Sequence, residues 1–282
     1  PRPVSSAASD VYKRQVDHEL LDVLRPDAVL FVGDFSDGDL RLTRLVTSLS
    51  LPVAVILGNH DHGRDKSGGI LTQQLALLGE RHCAWTCRVL DPLPLSIVGG
   101  RPCSAGGGFY LSGAVRAVYG PVSLEESVRR IVEAAQKVPD DQPLIVMAHS
   151  GPTGLGSEPS SPCGRDWKIP AVDWGDQDLA QALDRIATHR PADLVVFGHM
   201  HHGLKRGLGL RKSLVRDRRG TAFLNAACVP RSGMDANGQM LLNLSWAEFN
   251  GAKLTQLSHR WYTPDGQISH EEILDVKDGV RC

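Results

Sequence analysis

The chain has 282 residues, of which 41% are hydrophobic and 22% charged, and its formal net charge is −1. That balance offers no basic excess to neutralise many phosphates, which argues against general nucleic-acid binding, and no apolar run approaches the roughly 20 residues that span a bilayer. Six cysteines (83, 87, 103, 163, 228 and 282) are scattered through the chain rather than clustered, which argues against a disulfide framework and for a reducing compartment.

In chain order, a helical pattern over VDHELLDVL is followed by short apolar runs that close on glycine or a polar residue: PDAVLFVGD, LPVAVILGN, PLSIVGG, PLIVMAHS and ADLVVFGH. Each reads as a buried strand. Helical spacing lies between them at Asp39 to Leu49, Ile70 to Leu78, Ser123 to Lys137 and Asp176 to Thr188. The third of these opens on Ser123-Leu-Glu-Glu126, a capping-box signature. From Thr221 the pattern turns to hairpin-like strands, TAFLNAACV, QMLLNLSWAEF and KLTQLSHRWY, separated by Asn-Gly and Asp-Gly turns. Alternating strands and helices predict an α/β layered fold in one domain.

Four of the buried strands end in Gly-Asp34, Gly-Asn59-His60-Asp61, Ala-His149 and Gly-His199-Met-His201. Open α/β sheets bind ligands beyond the carboxyl ends of their strands, so Asp34, Asn59, His60, His149, His199 and His201 are expected in one crevice. Any one alone is weak evidence, because a lone histidine after a strand is usually a satisfied histidine and Gly-Asp is a common turn; the set in this order is far more specific. Imidazoles with a carboxylate and an amide oxygen suit Mn, Fe or Zn better than Ca or Mg.

With GDFSD, GNHD, AHSG and GHMH in succession, the chain resembles the calcineurin-like metallophosphoesterases, from about Asp17 to about Trp261. The longer stretches GPTGLG, CGRDWK, VVFGHMHHGLKRGLGL and LNAACVPR resemble a branch found in cyanobacteria and plastids. The resemblance implies a four-layer αββα sandwich with two divalent transition-metal ions (Mn, Fe or Zn), and hydrolysis of phosphate esters by a hydroxide bridging them. It implies that Asp34 bridges the ions, that Asn59, His149 and His199 complete one shell, and that His201 serves the other. It places His60 beside the scissile phosphate, with Asp37 either orienting it or capping a loop or helix. His62 and His202 are expected to be solvated.

The family's first motif, Asp-x-His, which ends its first strand, has no counterpart: Asp17-His18 lacks the intervening residue and sits in a helical pattern. Residues 5–15, SSAASDVYKRQ, match an in-frame translation of a transposase-type sequencing adapter. The expectation is therefore a non-native leader over 1–15 and a phosphoesterase domain over 16–282 without its first strand, with one ion or fewer bound and activity impaired relative to an intact parent.

Small phosphate esters are the expected substrates. Arg101 in GGRPCSAGGG and Arg165 and Lys168 in CGRDWK are candidate substrate contacts, with Trp167 able to stack on a base or sugar; a structural salt bridge is the alternative reading. GPTGLG lacks the GK[ST] ending of a P-loop. The basic run Lys205-Arg206, Arg211-Lys212 and Arg216 to Arg219 reads as a solvated hairpin. The compartment is expected to be the cytoplasm or, alternatively, the plastid stroma. A non-catalytic metal-binding or scaffold member of the same fold is the rival function; the presence of His60, which metal binding alone does not require, argues against it.

Overall fold

The computed structural model describes residues 17–205, 209–228 and 231–276; the adapter-like leader, Arg206 and Cys282 lie outside the described residues. Residues 17–24 form helix α1, and the chain then enters β1 (Val29–Phe31), α2 (Leu40–Thr47), β2 (Val53–Val55) and α3 (Gly69–Leu78). Next come β3 (Cys87–Val89), β4 (Ser96–Gly99), α4 (Gly113–Tyr119), α5 (Leu124–Ala135), β5 (Ile145–Met147), α6 (Gln177–Ile186) and β6 (Leu194–Phe197). The remainder is β-rich: β7 (Leu214–Arg216), β8 (Ala222–Asn225), β9 (Ser232–Met234), β10 (Met240–Asn250), β11 (Lys253–Tyr262) and β12 (Ile268–Val276). The mixed α/β class expected from the sequence is the class observed.

The strands form a six-stranded sheet ordered β3-β4-β5-β6-β8-β7, a parallel pair β1-β2, and an antiparallel sheet ordered β12-β11-β10-β9. Strands of the large sheet divide their side chains by alternation. Ile97, Ile145, Met147, Leu194 and Val196 enter one core with Leu254 and Leu257 of β11, while Val98, Val146, Val195 and Phe197 enter another with residues of α3, α4, α5 and α6. A strand buried on both faces has no polar alternation, which is why these segments read as continuous apolar runs. One core is therefore the seam between sheets and the other lies beneath the helices. β2 follows the same rule, with Val53 and Val55 on the helix side and Ala54 and Ile56 on the sheet side.

Local chemistry sets the element ends. Asp39, not Asp37, caps α2, its carboxylate accepting the Arg41 N–H at 2.8 Å. Ser123 caps α5 by accepting the Glu126 N–H at 3.1 Å. The Glu126 carboxylate turns outward to Arg129 and Arg130, so the capping box is half made. The Asn237-Gly238, Asn250-Gly251 and Asp265-Gly266 turns join β9 to β12, each glycine at positive φ. Among the described residues, β1 has a strand partner on one edge only, and its three residues are half-buried where those of β2 are fully buried.

Candidate metal centre

β1, β2, β5 and β6 all run parallel to a neighbour, and the turns that follow them carry Asp34, Asn59, His149 and His199. Ligand atoms of Asp34, His149 and His199 lie within 4.8 Å of one another, and Asn59 Oδ1 is 3.1 Å from His149 Nε2. Asp34 and His199 both adopt left-handed backbone, φ 58° and 64°, a conformation that non-glycine residues seldom take and that concentrates at functional sites.

His149 explains what the cluster is suited to hold. Its Nδ1 donates to the Val32 carbonyl at 2.6 Å, which fixes the ring. Nε2 then faces two oxygens, Asn59 Oδ1 at 3.1 Å and Asp34 Oδ2 at 3.2 Å. In the neutral ring that Nε2 carries a lone pair, so it converges with the Asn59 and Asp34 oxygens as electron-pair donors on one place, an arrangement suited to a cation. Burial opposes charging His149, but the Asp34 carboxylate beside it outweighs burial and raises its pKa. Burial likewise tends to raise Asp34, yet the His149 charge and hydrogen bond and the His60 N–H at 2.8 Å hold it well below the usual carboxylate range. Burial, reinforced by His149, pushes His199 down to about 3, leaving a neutral nitrogen donor at physiological pH. A divalent transition metal fits this set: two imidazoles, a carboxylate and an amide oxygen, with one imidazole aligned by a backbone carbonyl.

The close approach of these groups needs glycine. A Cβ on Gly58 would lie 2.3 Å from Asp34 Oδ1 and 2.5 Å from His149 Cε1, and one on Gly33 would lie 2.6 Å from both Gly58 N and His149 Nδ1.

Asp61, given no role by sequence reasoning, organises the floor. Fully buried, its carboxylate accepts the N–H groups of Asp34, Phe35, Ser36 and Gly58 and the Ser36 hydroxyl, at 2.7–3.0 Å. One side chain thus locks the turn carrying Asp34 onto the turn carrying Asn59. The signal in the sequence was an aspartate inside an otherwise metal-binding motif; a carboxylate beside a turn is suited to collecting backbone N–H groups.

The remaining expected site residues are dispersed. His60 and His201 stand exposed at the mouth, and Asp37 is exposed in a left-handed turn with φ 45°. Arg101 is withdrawn from any substrate. Only 2% exposed, it is bound to Asp176 at 2.6 Å and Asp178 at 3.1 Å, with the Gly108 and Tyr110 carbonyls completing its shell. The alternative reading of Arg101, a structural salt bridge, matches this placement. Arg165 lies over the Trp174 ring, 5.1 Å from its centroid, and Lys168 is exposed on the same loop. His202 is not solvated: it contacts Ser213, Cys228 and the His259 ring. In the basic run Arg211 is paired with Asp166, Arg216 with Asp275 and Arg219 with Asp184, while Lys205 is exposed. The five described cysteines are free thiols.

These strand-end ligands and their order meet an independent finding: a family model for the calcineurin-like phosphoesterases matches residues 9–203, well over half of the chain. The chain belongs to this family. No protein with a curated description matches it. Among solved structures, TT1561 of Thermus thermophilus is similar in fold, with a TM-score of 0.50 and 11% identity over 94% of each chain. A second solved structure has a TM-score of 0.49 and 10% identity, also over 94% of each chain. The strand-end cluster falls wholly inside the span that the phosphoesterase family matches. As a family member the chain is a metal-dependent phosphoesterase in the general sense, and among the described residues no helix is long and apolar enough to cross a membrane.

Proposed function

We propose that this protein hydrolyses small phosphate esters at the strand-end cluster, with Asp34, Asn59, His149 and His199 as the ligands of a divalent transition metal and His201 facing a second position. The observation that carries this reading is the aim of His149 Nε2 onto the oxygens of Asp34 and Asn59, fixed from behind by Val32. When bound, divalent ions in such sites make hydroxide available at neutral pH and neutralise the charge of the phosphoryl group. The chain's own residues do the rest. Asp61 holds the two ligand turns in register, the His60 N–H anchors Asp34, and the exposed His60 ring is free to give a proton to the departing oxygen. No side-chain nucleophile is required.

A second reading has a specific observation behind it. Among the His, Cys, Asp and Glu side chains of the described residues, Asp34, His149 and His199 are the one group of three whose ligand atoms lie within 4.8 Å of one another, a set suited to one ion. A one-ion form with impaired hydrolysis, or a non-catalytic metal-binding member of the fold, would follow from that.

The test is hydrolysis of p-nitrophenyl phosphate and its diester by manganese-loaded protein, alongside metal content per chain. His60→Ala is expected to retain metal and lose roughly 10²- to 10⁴-fold in kcat. Asp34→Asn is expected to lose the metal. Turnover indifferent to His60→Ala, or absent in a fully metal-loaded wild type, would overturn hydrolysis at this site.

A further inference from the structure

Next to the metal centre stands a second constellation that the phosphoesterase chemistry does not use. The loop spanning 153–175 and the turn carrying His201 are tied together by the buried guanidinium of Arg211. Its Nε donates to the His201 carbonyl at 3.0 Å, and one terminal nitrogen donates to the carbonyls of Pro159, Ser161 and Gly164 at 2.6–2.8 Å. Asp166 adds a second tie by accepting the Lys205 N–H at 2.6 Å. The loop and the His201 turn are therefore one unit, and the loop is held beside the turn that carries His201.

It displays indoles and cations. Trp174 is anchored, its Nε1 donating to the Ala105 carbonyl at 2.9 Å. Trp167 stands against it edge-on, ring centroids 5.3 Å apart and planes at 78°, and is half-buried. The Lys205 ammonium sits 5.5 Å from the Trp167 centroid, four residues beyond His201. Arg165 and Lys168 add two further cations from the same loop. Two of the loop's three carboxylates are engaged inside it, Asp166 facing Lys205 N and Arg211 and Asp173 accepting from the Gly154 and Gly175 N–H groups, while Glu158 is exposed. Arg101 and Arg211 show what structural cations look like in this molecule, buried and saturated with carbonyls or carboxylates. Lys168 and Lys205 are exposed.

We propose that Trp167 and Lys205 form the wall that recognises the alcohol part of the substrate, and that this part carries a planar ring, as the base of a nucleotide does. A half-buried indole offers a flat apolar face to such a ring, and the flanking cations suit an anionic ester. The proposal deepens the phosphoesterase reading and rests on it for the fate of the bound ester, but not for binding.

The experiment has two arms. In the first, kcat/KM of the manganese-loaded protein is compared for adenosine 5′-monophosphate and glycerol 1-phosphate in wild type, Trp167→Ala, Trp167→Phe and Lys205→Ala. The nucleotide-to-glycerol preference is expected to fall roughly 10- to 100-fold in Trp167→Ala, about the worth of one stacked base, and to be partly restored in Trp167→Phe. In the second, binding of adenosine 5′-monophosphate to His60→Ala protein is followed by calorimetry and tryptophan fluorescence, with and without Trp167→Ala. Loss of binding with Trp167→Ala while no variant hydrolyses any ester would sink the hydrolytic reading and leave the wall standing. An unchanged preference, an equal loss for both esters, or no binding of the nucleotide would overturn the wall.

Discussion

Gly58 is the residue on which the metal centre is most sharply conditional. Its Cα lies so near the ligands that the smallest side chain would meet Asp34 Oδ1 at 2.3 Å and His149 Cε1 at 2.5 Å, both of them rigidly held. Gly58→Ala is expected to weaken manganese binding roughly 10- to 100-fold, the usual cost of displacing metal ligands from their supports. Gly203→Ala, two residues past His201 with nothing within 4 Å of its added carbon, should leave affinity unaltered. Calorimetric titration of both variants checks the pair. Equal affinity for the two would mean that the turns yield freely and that the glycine is incidental.

At the scale of elements, Arg101 joins the chain after β4 to the start of α6. Its partners are Asp176, the N-cap of that helix, and Asp178 in its first turn, and Ser104 and Ser127 hydrogen-bond the same two carboxylates. Burial raises the Asp176 carboxyl, against the pull of Arg101. Arg101→Leu would strand two carboxylates in the core, an expected loss of about 3–5 kcal/mol and a fall in Tm on the order of 10 °C. A variant with wild-type Tm but raised KM would instead return Arg101 to the substrate. Nothing in GGRPCSAGGG distinguishes these outcomes, because a buried arginine and a substrate arginine look alike until carboxylates some 75 residues away are seen to close on it. The strand-end ligands were legible for the opposite reason: each belongs to its own local signal, an apolar run stopped by glycine and a polar residue. Asp61 and Arg211 escaped because their partners are chiefly backbone groups, which no sequence pattern advertises. The same logic sorts the elements. The apolar strands β1, β2, β4, β5 and β6 announced themselves, whereas three-residue β3, β7 and β9, seven-residue α4 and the charged, twice-bulged β12 are too short or too irregular to show a period.

Across the whole molecule, the antiparallel C-terminal sheet meets the turn after β6 at His259. This residue is 2% exposed on β11, hydrogen-bonded through Nδ1 to Ser245, and 5.8 Å from the His202 ring, with Glu272 opposite it on β12. Burial and then His202 push its pKa from 6.5 down to about 4. The sign follows from which state binds the proton. Between pH 6.5 and 4 the unfolded chain takes up a proton that the folded chain refuses, so stability is full above pH 6.5 and is lost as the pH falls to about 4. One such group accounts for up to about 3 kcal/mol over that interval. Urea unfolding at stepped pH should show a shallower acid limb in His259→Asn than in wild type, whatever the variant's stability at pH 7. Parallel limbs would assign acid sensitivity elsewhere.

The left-handed backbone at His199, φ 64°, has a consequence for selection. A residue held there costs folding energy that glycine would give back, about 1 kcal/mol. Metal affinity and stability thus pull in opposite directions at this position. A library of this protein screened for heat resistance alone, without metal in the medium, should enrich glycine or asparagine at 199, and the survivors would be sturdier molecules that no longer hold an ion. Enrichment of histidine under the same conditions would show that the strain is repaid by contacts other than the metal.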